Sequence, residues 1–234
     1  MKILRLALSV GLLIATAKAD VLSMLSARPS PVDSIFWDAQ GVSELDEIAS
    51  GSTTNGNGFV IAGNRTFLFM GSTFNADFLP TDGVLTTFDP NNGAPAGGFR
   101  ITFDQPIYGG GAQIQIPSFG VPFVAQVEAF GAGGISFGTV SRTGSVNDPS
   151  QGDGSALFLG VRSDLQDIIA LEFRTTDEQG GSIDGLGVNN VSIVGVSAVP
   201  EPAGLAAPAL AGLIFAAWRR RYSAGRLRSD SNQR

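Results

Sequence analysis

Residues 99–115 read Phe99-Arg100-Ile101-Thr102-Phe103-Asp104-Gln105-Pro106-Ile107-Tyr108-Gly109-Gly110-Gly111-Ala112-Gln113-Ile114-Gln115. Phe99, Ile101 and Phe103 alternate with Arg100 and Thr102, and Ile114 alternates with Gln113 and Gln115. Period two is the signature of a half-buried strand, so the stretch predicts two strands around a Gly-rich break. The same pattern recurs at 59–62, 66–70, 123–130, 135–140, 156–161, 168–173 and 191–196. Turn signals separate the runs, among them Asn91-Asn92-Gly93, Gly109-Gly110-Gly111 and Gly133-Gly134. Gly63-Asn64 between two such runs predicts a two-residue hairpin. The acidic stretch 43–49 reads as a short helix or an early strand. No segment sustains helical periodicity over three turns and no fixed-period repeat is present, which argues against a solenoid or propeller. An all-β, antiparallel β-sandwich of jelly-roll type over residues 45–198 is expected, with 20–44 as a preceding segment. Phe99, Ile101, Phe103, Val127, Leu171 and Phe173 are its expected core.

Composition narrows the chemistry. The 234 residues include no Cys and no His, with 15 Lys plus Arg against 21 Asp plus Glu. No disulfide, thiol nucleophile, Ser–His–Asp triad or ordinary zinc, copper or haem site can be built from such a chain. Glycines occur without the Gly-Lys-Ser/Thr ending of a phosphate loop. Gly180-Gly181-Ser182-Ile183-Asp184 misses the nucleophile-elbow pattern at its fifth residue. No catalytic constellation survives, so the expectation is a protein that is not an enzyme. Between residues 20 and 199 six arginines face nineteen acids, a net of −13, while the whole chain carries −6. Such a surface repels nucleic acid and anionic lipid.

The excess of bases lies at the two ends. Residues 1–19 carry Lys2 and Arg5, an apolar stretch at 6–15, and Ala17-Lys18-Ala19 before Asp20. Those three parts form a secretory signal cleaved after Ala19, whose partners are the secretion machinery and signal peptidase. At the other end Val199 precedes Pro200-Glu201-Pro202, an apolar run at 203–218, and Arg219-Arg220-Arg221. Sixteen helical residues reach about 24 Å, short of a ~30 Å hydrocarbon core, but snorkelling Arg and interfacial Trp218 allow a span. The Arg triplet holds that end in the cytoplasm, which places everything before Val199 outside.

Pro-Glu-Pro, short apolar helix and Arg cluster, in that order, resemble the PEP-CTERM sorting signal of Gram-negative, exopolysaccharide-producing bacteria. The resemblance implies recognition by a membrane-embedded exosortase and processing near Pro200, Glu201 and Pro202. The family ends close after its basic cluster, whereas here residues 222–234 add a basic tail suited to a cytoplasmic face. A second likeness covers residues 99–193. Phe103-Asp104-Gln105-Pro106, the Gly/Ala-rich strand at 109–115, Phe158-Leu159-Gly160-Val161 and Val188-Asn189-Asn190-Val191 are similar to a domain common among PEP-CTERM proteins, with Asn189 where that pattern favours Asp. That domain is regarded as lectin-like in shape.

Three functions follow as expectations. The first is an exported, non-catalytic structural or adhesive protein of the cell surface or extracellular matrix, in contact with exopolysaccharide. The second is a calcium-dependent carbohydrate-binding module. Calcium is the metal suited to oxygen-only ligands, and its candidate ligands are Glu44, Asp46 and Glu47 early in the domain with Asp184 and Asn189 late. Trp37, in an otherwise polar stretch, is that reading's candidate sugar platform, against a packed anchor as the alternative. The third is a carboxylate-based polysaccharide hydrolase.

Overall fold

The computed structural model describes residues 22–30, 33–74, 76–88, 97–118, 120–146, 154–181, 183 and 185–194. The signal segment, the Pro-Glu-Pro motif, the apolar run 203–218 and the basic tail lie outside the described residues. Among those described, no helix is long and apolar enough to cross a membrane.

Among the described residues fourteen strands follow one another, with two short 3-10 turns between them. They are β1 (Ser23–Leu25), β2 (Asp33–Ile35), β3 (Ser50–Ser52), β4 (Gly58–Gly63), β5 (Phe67–Met70), β6 (Gly83–Thr86) and β7 (Phe99–Ile107). The rest are β8 (Gly109–Gln115), β9 (Pro122–Phe130), β10 (Ser136–Ser145), β11 (Leu157–Arg162), β12 (Ile168–Thr176), β13 (Gly187–Asn189) and β14 (Val191–Val194). One sheet runs β1-β11-β8-β13-β6-β5, with β14 beside β8 and β2 beside β14. The other runs β10-β9-β12-β7-β4-β3, and all pairings are antiparallel. The fold is therefore all-β and two-sheeted, a β-sandwich.

Alternation explains the core. Phe99, Ile101, Phe103, Val127, Leu171 and Phe173 are all buried, as expected from period two, and face Ala112, Ile114, Leu159, Val161 and Val188 of the first sheet. A second cluster lies on the opposite face of the first sheet. There Phe67, Phe69 and Val84 point away from the main core and are covered by Phe74, Ala76 and Phe78 of the segment between β5 and β6. Buried Asp77 fastens that segment: its amide donates to Gln115 Oε1 at 2.7 Å and its Oδ2 accepts from Gln115 Nε2 at 2.8 Å.

Three sequence expectations are corrected. Gly63-Asn64 does not turn a hairpin, because β4 pairs with β7 in one sheet and β5 with β6 in the other. Periodicity gave each strand its buried face, and that face is the same whichever sheet it joins. Gly109–Gly111 opens β8 rather than forming a turn, and the chain changes sheet at Tyr108. Residues 22–44 are part of the sandwich, since β1 pairs with β11 and β2 with β14. Within 43–49 the chain makes a turn at Glu44 and Leu45, with Leu45 at a φ of 71° and the Asp46 amide donating to the Ser43 carbonyl, and then bridges Glu47 to Phe67.

Asp33 ties the two sheets together. From β2 its Oδ1 accepts the Thr54 hydroxyl at 2.7 Å and the Asn55 and Ser34 amides at 2.9 Å, which pins the turn of the β3–β4 hairpin. Burial by itself raises this carboxyl's pKa, but hydrogen bonds from Thr53, Thr54, Asn55 and Ser34 outweigh it and hold the group below the ordinary Asp value. A depressed native pKa contributes stability that is complete above the unfolded value of about 3.9 and is lost as pH falls through the native value. Asp33→Asn should cost on the order of 2 kcal/mol at pH 7. It should also flatten the acid limb, so that urea-melt stabilities of variant and wild type converge as pH falls through the depressed native value. Parallel pH profiles would contradict this.

Candidate functional site

Gln113, Phe158 and Asn189 share the outer face of the first sheet, because Ala112 and Ile114, Leu159, and Val188 beside them point into the main core. Phe158 stands directly opposite Gln113 across the β8–β11 pairing. Asn189 comes within reach because the Val188–Ile114 register sets it opposite Gln113, and a β-bulge follows it. Val188 pairs with Ile114 but Ser192 with Gly111, so the β13–β14 segment carries one extra residue against β8. The Asn189 side chain meets half-buried partners: Nδ2 donates to Asp82 Oδ2 at 2.6 Å and to Gln113 Oε1 at 2.8 Å. Gln113 Nε2 donates in turn to the carbonyls of Gly154 at 2.6 Å and Ala156 at 3.2 Å. Asp82 sits just before β6 in a tight turn, where Oδ2 also accepts the Leu79 amide at 3.1 Å. Around these groups opens a cleft of about 350 Å³ lined by Arg28, Leu79, Asp82, Gln113, Gly154 and Phe158. Its described lining offers one oriented carboxylate, one amide, one guanidinium and an apolar strip.

The outer face of the other sheet is charged but self-contained. Arg100 donates to Glu172 Oε2 through Nε at 3.0 Å and Nη2 at 2.7 Å, with its guanidinium 3.7 Å from the Phe130 ring centroid. Arg174 pairs with Glu128 and lies 3.0 Å from Glu172. A hollow of about 270 Å³ beside Arg100 and Glu172 is therefore bordered by charges already neutralised by one another.

The residues predicted from sequence are dispersed. Trp37 is 0% exposed: its indole N–H donates to the Val188 carbonyl at 3.0 Å and its ring meets Phe59 edge-on at 5.9 Å. This corrects the sugar-platform reading, since the ring offers no face to solvent. Its polar neighbours misled because a 3-10 turn at Trp37–Ala39 aims the side chain inward against their trend. Glu44 accepts the Thr73 hydroxyl and the Met70 amide, Asp46 the Ser43 amide at 3.0 Å, and Glu47 pairs with Arg65 at 2.6 Å. Each carboxylate is turned to its own partner, and Asn189 is held by Asp82 instead. Asp184 lies outside the described residues. Among the described residues no group of three or more acids is placed to hold a metal, so the expected calcium set is not assembled there. Pro200, Glu201, Pro202, Arg219, Arg220, Arg221, Ala17 and Ala19 also lie outside them.

Sequence reading missed Arg28, Asp82, Gln113 and Phe158. The available signal was Gln113, a polar residue on the non-core side of a strand that alternates cleanly.

No protein-family model matches the sequence, and no curated protein matches it. Among solved structures, a DUF4465 family protein from Bacteroides caccae is similar with a TM-score of 0.34 at 10% sequence identity, over 72% of this chain and 95% of that one.

Proposed function

We propose that this is an exported, non-catalytic protein of the cell surface or extracellular matrix, structural or adhesive in role, whose sandwich is of jelly-roll type. Residues 1–19 direct secretion as a signal helix. The helix 203–218 holds the chain in the membrane, with Arg219, Arg220 and Arg221 on the cytoplasmic side. A PEP-CTERM-type signal at Pro200, Glu201 and Pro202 hands it to an exosortase-type protease. The observation that carries the sorting part is charge segregation: nine of the 15 bases lie in the two terminal segments, leaving −13 between them. The non-catalytic part is supported by the cleft, where Asp82 is the one carboxylate among the described lining residues, whereas glycoside hydrolysis uses two.

Intact-mass analysis of surface material tests the reading. The expected species begins at Asp20 and ends near Val199. A surface chain still ending at Arg234 would leave a plain membrane anchor, and a chain retained in the cytoplasm would remove the export reading altogether.

A further inference from the structure

We propose that the cleft between Arg28, Asp82, Gln113 and Phe158 is a calcium-independent binding site for a neutral pyranose unit of a polysaccharide. The inference deepens the surface-protein reading and rests on it for the polymer's place outside the cell.

Asp82 is set up before any ligand arrives. Its Oδ2 is held by the Leu79 amide and Asn189 Nδ2, while no described residue donates to Oδ1. Asn189 is itself fixed, because both hydrogens of its amide nitrogen are used and its Oδ1 accepts the Asn190 amide. Gln113 likewise uses both Nε2 hydrogens on the Gly154 and Ala156 carbonyls and keeps one acceptor site free on Oε1. The relay Gln113–Asn189–Asp82 thus presents an oriented acceptor at little ordering cost on binding.

Arg28 supplies the donors. It lines the same cleft, is exposed, and has neither an ion pair nor a hydrogen bond among the described residues. Arg65, Arg100 and Arg174, by contrast, are each committed to a glutamate. Leu79 at the rim is 45% exposed, and with Phe158 it gives the cleft an apolar wall.

These features select the ligand class. A sugar hydroxyl donates and accepts at once, so neighbouring hydroxyls can give to Asp82 Oδ1 and take from Arg28 while the ring's C–H face lies along Leu79 and Phe158. Among the described lining residues a metal ion would meet one carboxylate beside a guanidinium, which is too few ligands and the wrong neighbour. A polyanionic chain would approach against the −13 of the surrounding sequence. The volume sits near the lower end of the ~300–1,000 Å³ range of small-molecule sites, room for a single unit rather than a long segment.

The test uses the full-length chain in a non-glycosidic detergent, probed on an array of neutral and uronate-containing oligosaccharides in EDTA, with calorimetry on the glycans retained. Neutral oligosaccharides should bind despite EDTA. Asp82→Asn should weaken them at least about tenfold, by loss of a charge-assisted hydrogen bond. Arg28→Gln should weaken them about fivefold with an unchanged melting temperature, since no described residue bonds to its side chain. That second variant separates a lost ligand contact from a damaged domain. No binding to any glycan, binding confined to uronate oligomers, binding abolished by EDTA, or affinities untouched by both variants would each overturn the proposal. Absence of binding in a protein that reaches the surface ending near Val199 defeats this inference alone. Binding by a chain that is never exported defeats only the sorting reading.

Discussion

Trp37→Ala should destabilise the protein by about 3–5 kcal/mol, the range for truncating a fully buried large aromatic side chain. Trp37 is shielded completely and joins both sheets: its ring packs edge-on against Phe59 of β4, and its indole N–H donates to the Val188 carbonyl of β13. Its backbone amide donates to Asn190 Oδ1 at 3.2 Å, in the bulge between β13 and β14. Truncation leaves a cavity between the sheets, an unpaired Val188 carbonyl and a loosened bulge. Trp37→Phe keeps most of the apolar contact and forfeits the N–H bond, so it should cost only about 1–3 kcal/mol. Chemical melts of the three proteins give the order directly. A Trp37→Ala variant within about 1 kcal/mol of wild type would mean that the ring is not the anchor described here.

That result would also show where sequence reading reached its limit. Alternation at Phe99, Ile101 and Phe103 or at Val127 and Phe173 identified the buried face correctly, because a strand's side chains obey period two wherever the strand sits. Partnership is different. Residues 59–62 and 66–70 are adjacent in sequence and nearly complementary in pattern, yet they enter different sheets across Gly63. Strands of three residues, such as β1, β2 and β3, are too short to show a period at all. The cleft was legible in one residue only, Gln113. Arg28, Asp82, Phe158 and Asn189 come from distant stretches, and Asp82 before Gly83 looks like any polar turn residue. The Val188-Asn189-Asn190-Val191 run was noticed as a motif. Its physical meaning, an amide set opposite Gln113 and within reach of the Asp82 carboxylate, depends on the register with β8.

Gly160→Ala should cost about 3 kcal/mol, although the change adds a single methyl group. The glycine lies in the Phe158-Leu159-Gly160-Val161 motif of β11 and faces Gly111 of β8. A Cβ built there would stand 2.6 Å from the Gly110 carbonyl oxygen and 2.7 Å from the Gly111 Cα. These neighbours are backbone atoms inside a ladder, so they cannot swing aside as a side-chain tip does, and overpacking of this kind reaches or exceeds the usual 1–3 kcal/mol. The ladder has no slack on its other side either, where β1 pairs Leu25 with Gly160. For a domain of this size the penalty corresponds to a melting temperature lower by about 6–12 °C. The damage should not stay local. Phe158 and Gln113 face each other across the same β8–β11 pairing two residues away, so a separation of these strands opens the floor of the cleft. Gly160→Ala should therefore weaken glycan binding together with stability, whereas Arg28→Gln lowers binding alone. Gly41→Ala is the matched control: its φ of 77° makes a side chain strained, but nothing lies within 4 Å of the added Cβ. Its cost should stay near 1 kcal/mol, with binding unchanged. If the two alanine variants melt together, close approach of β8 and β11 is not what holds position 160 as glycine.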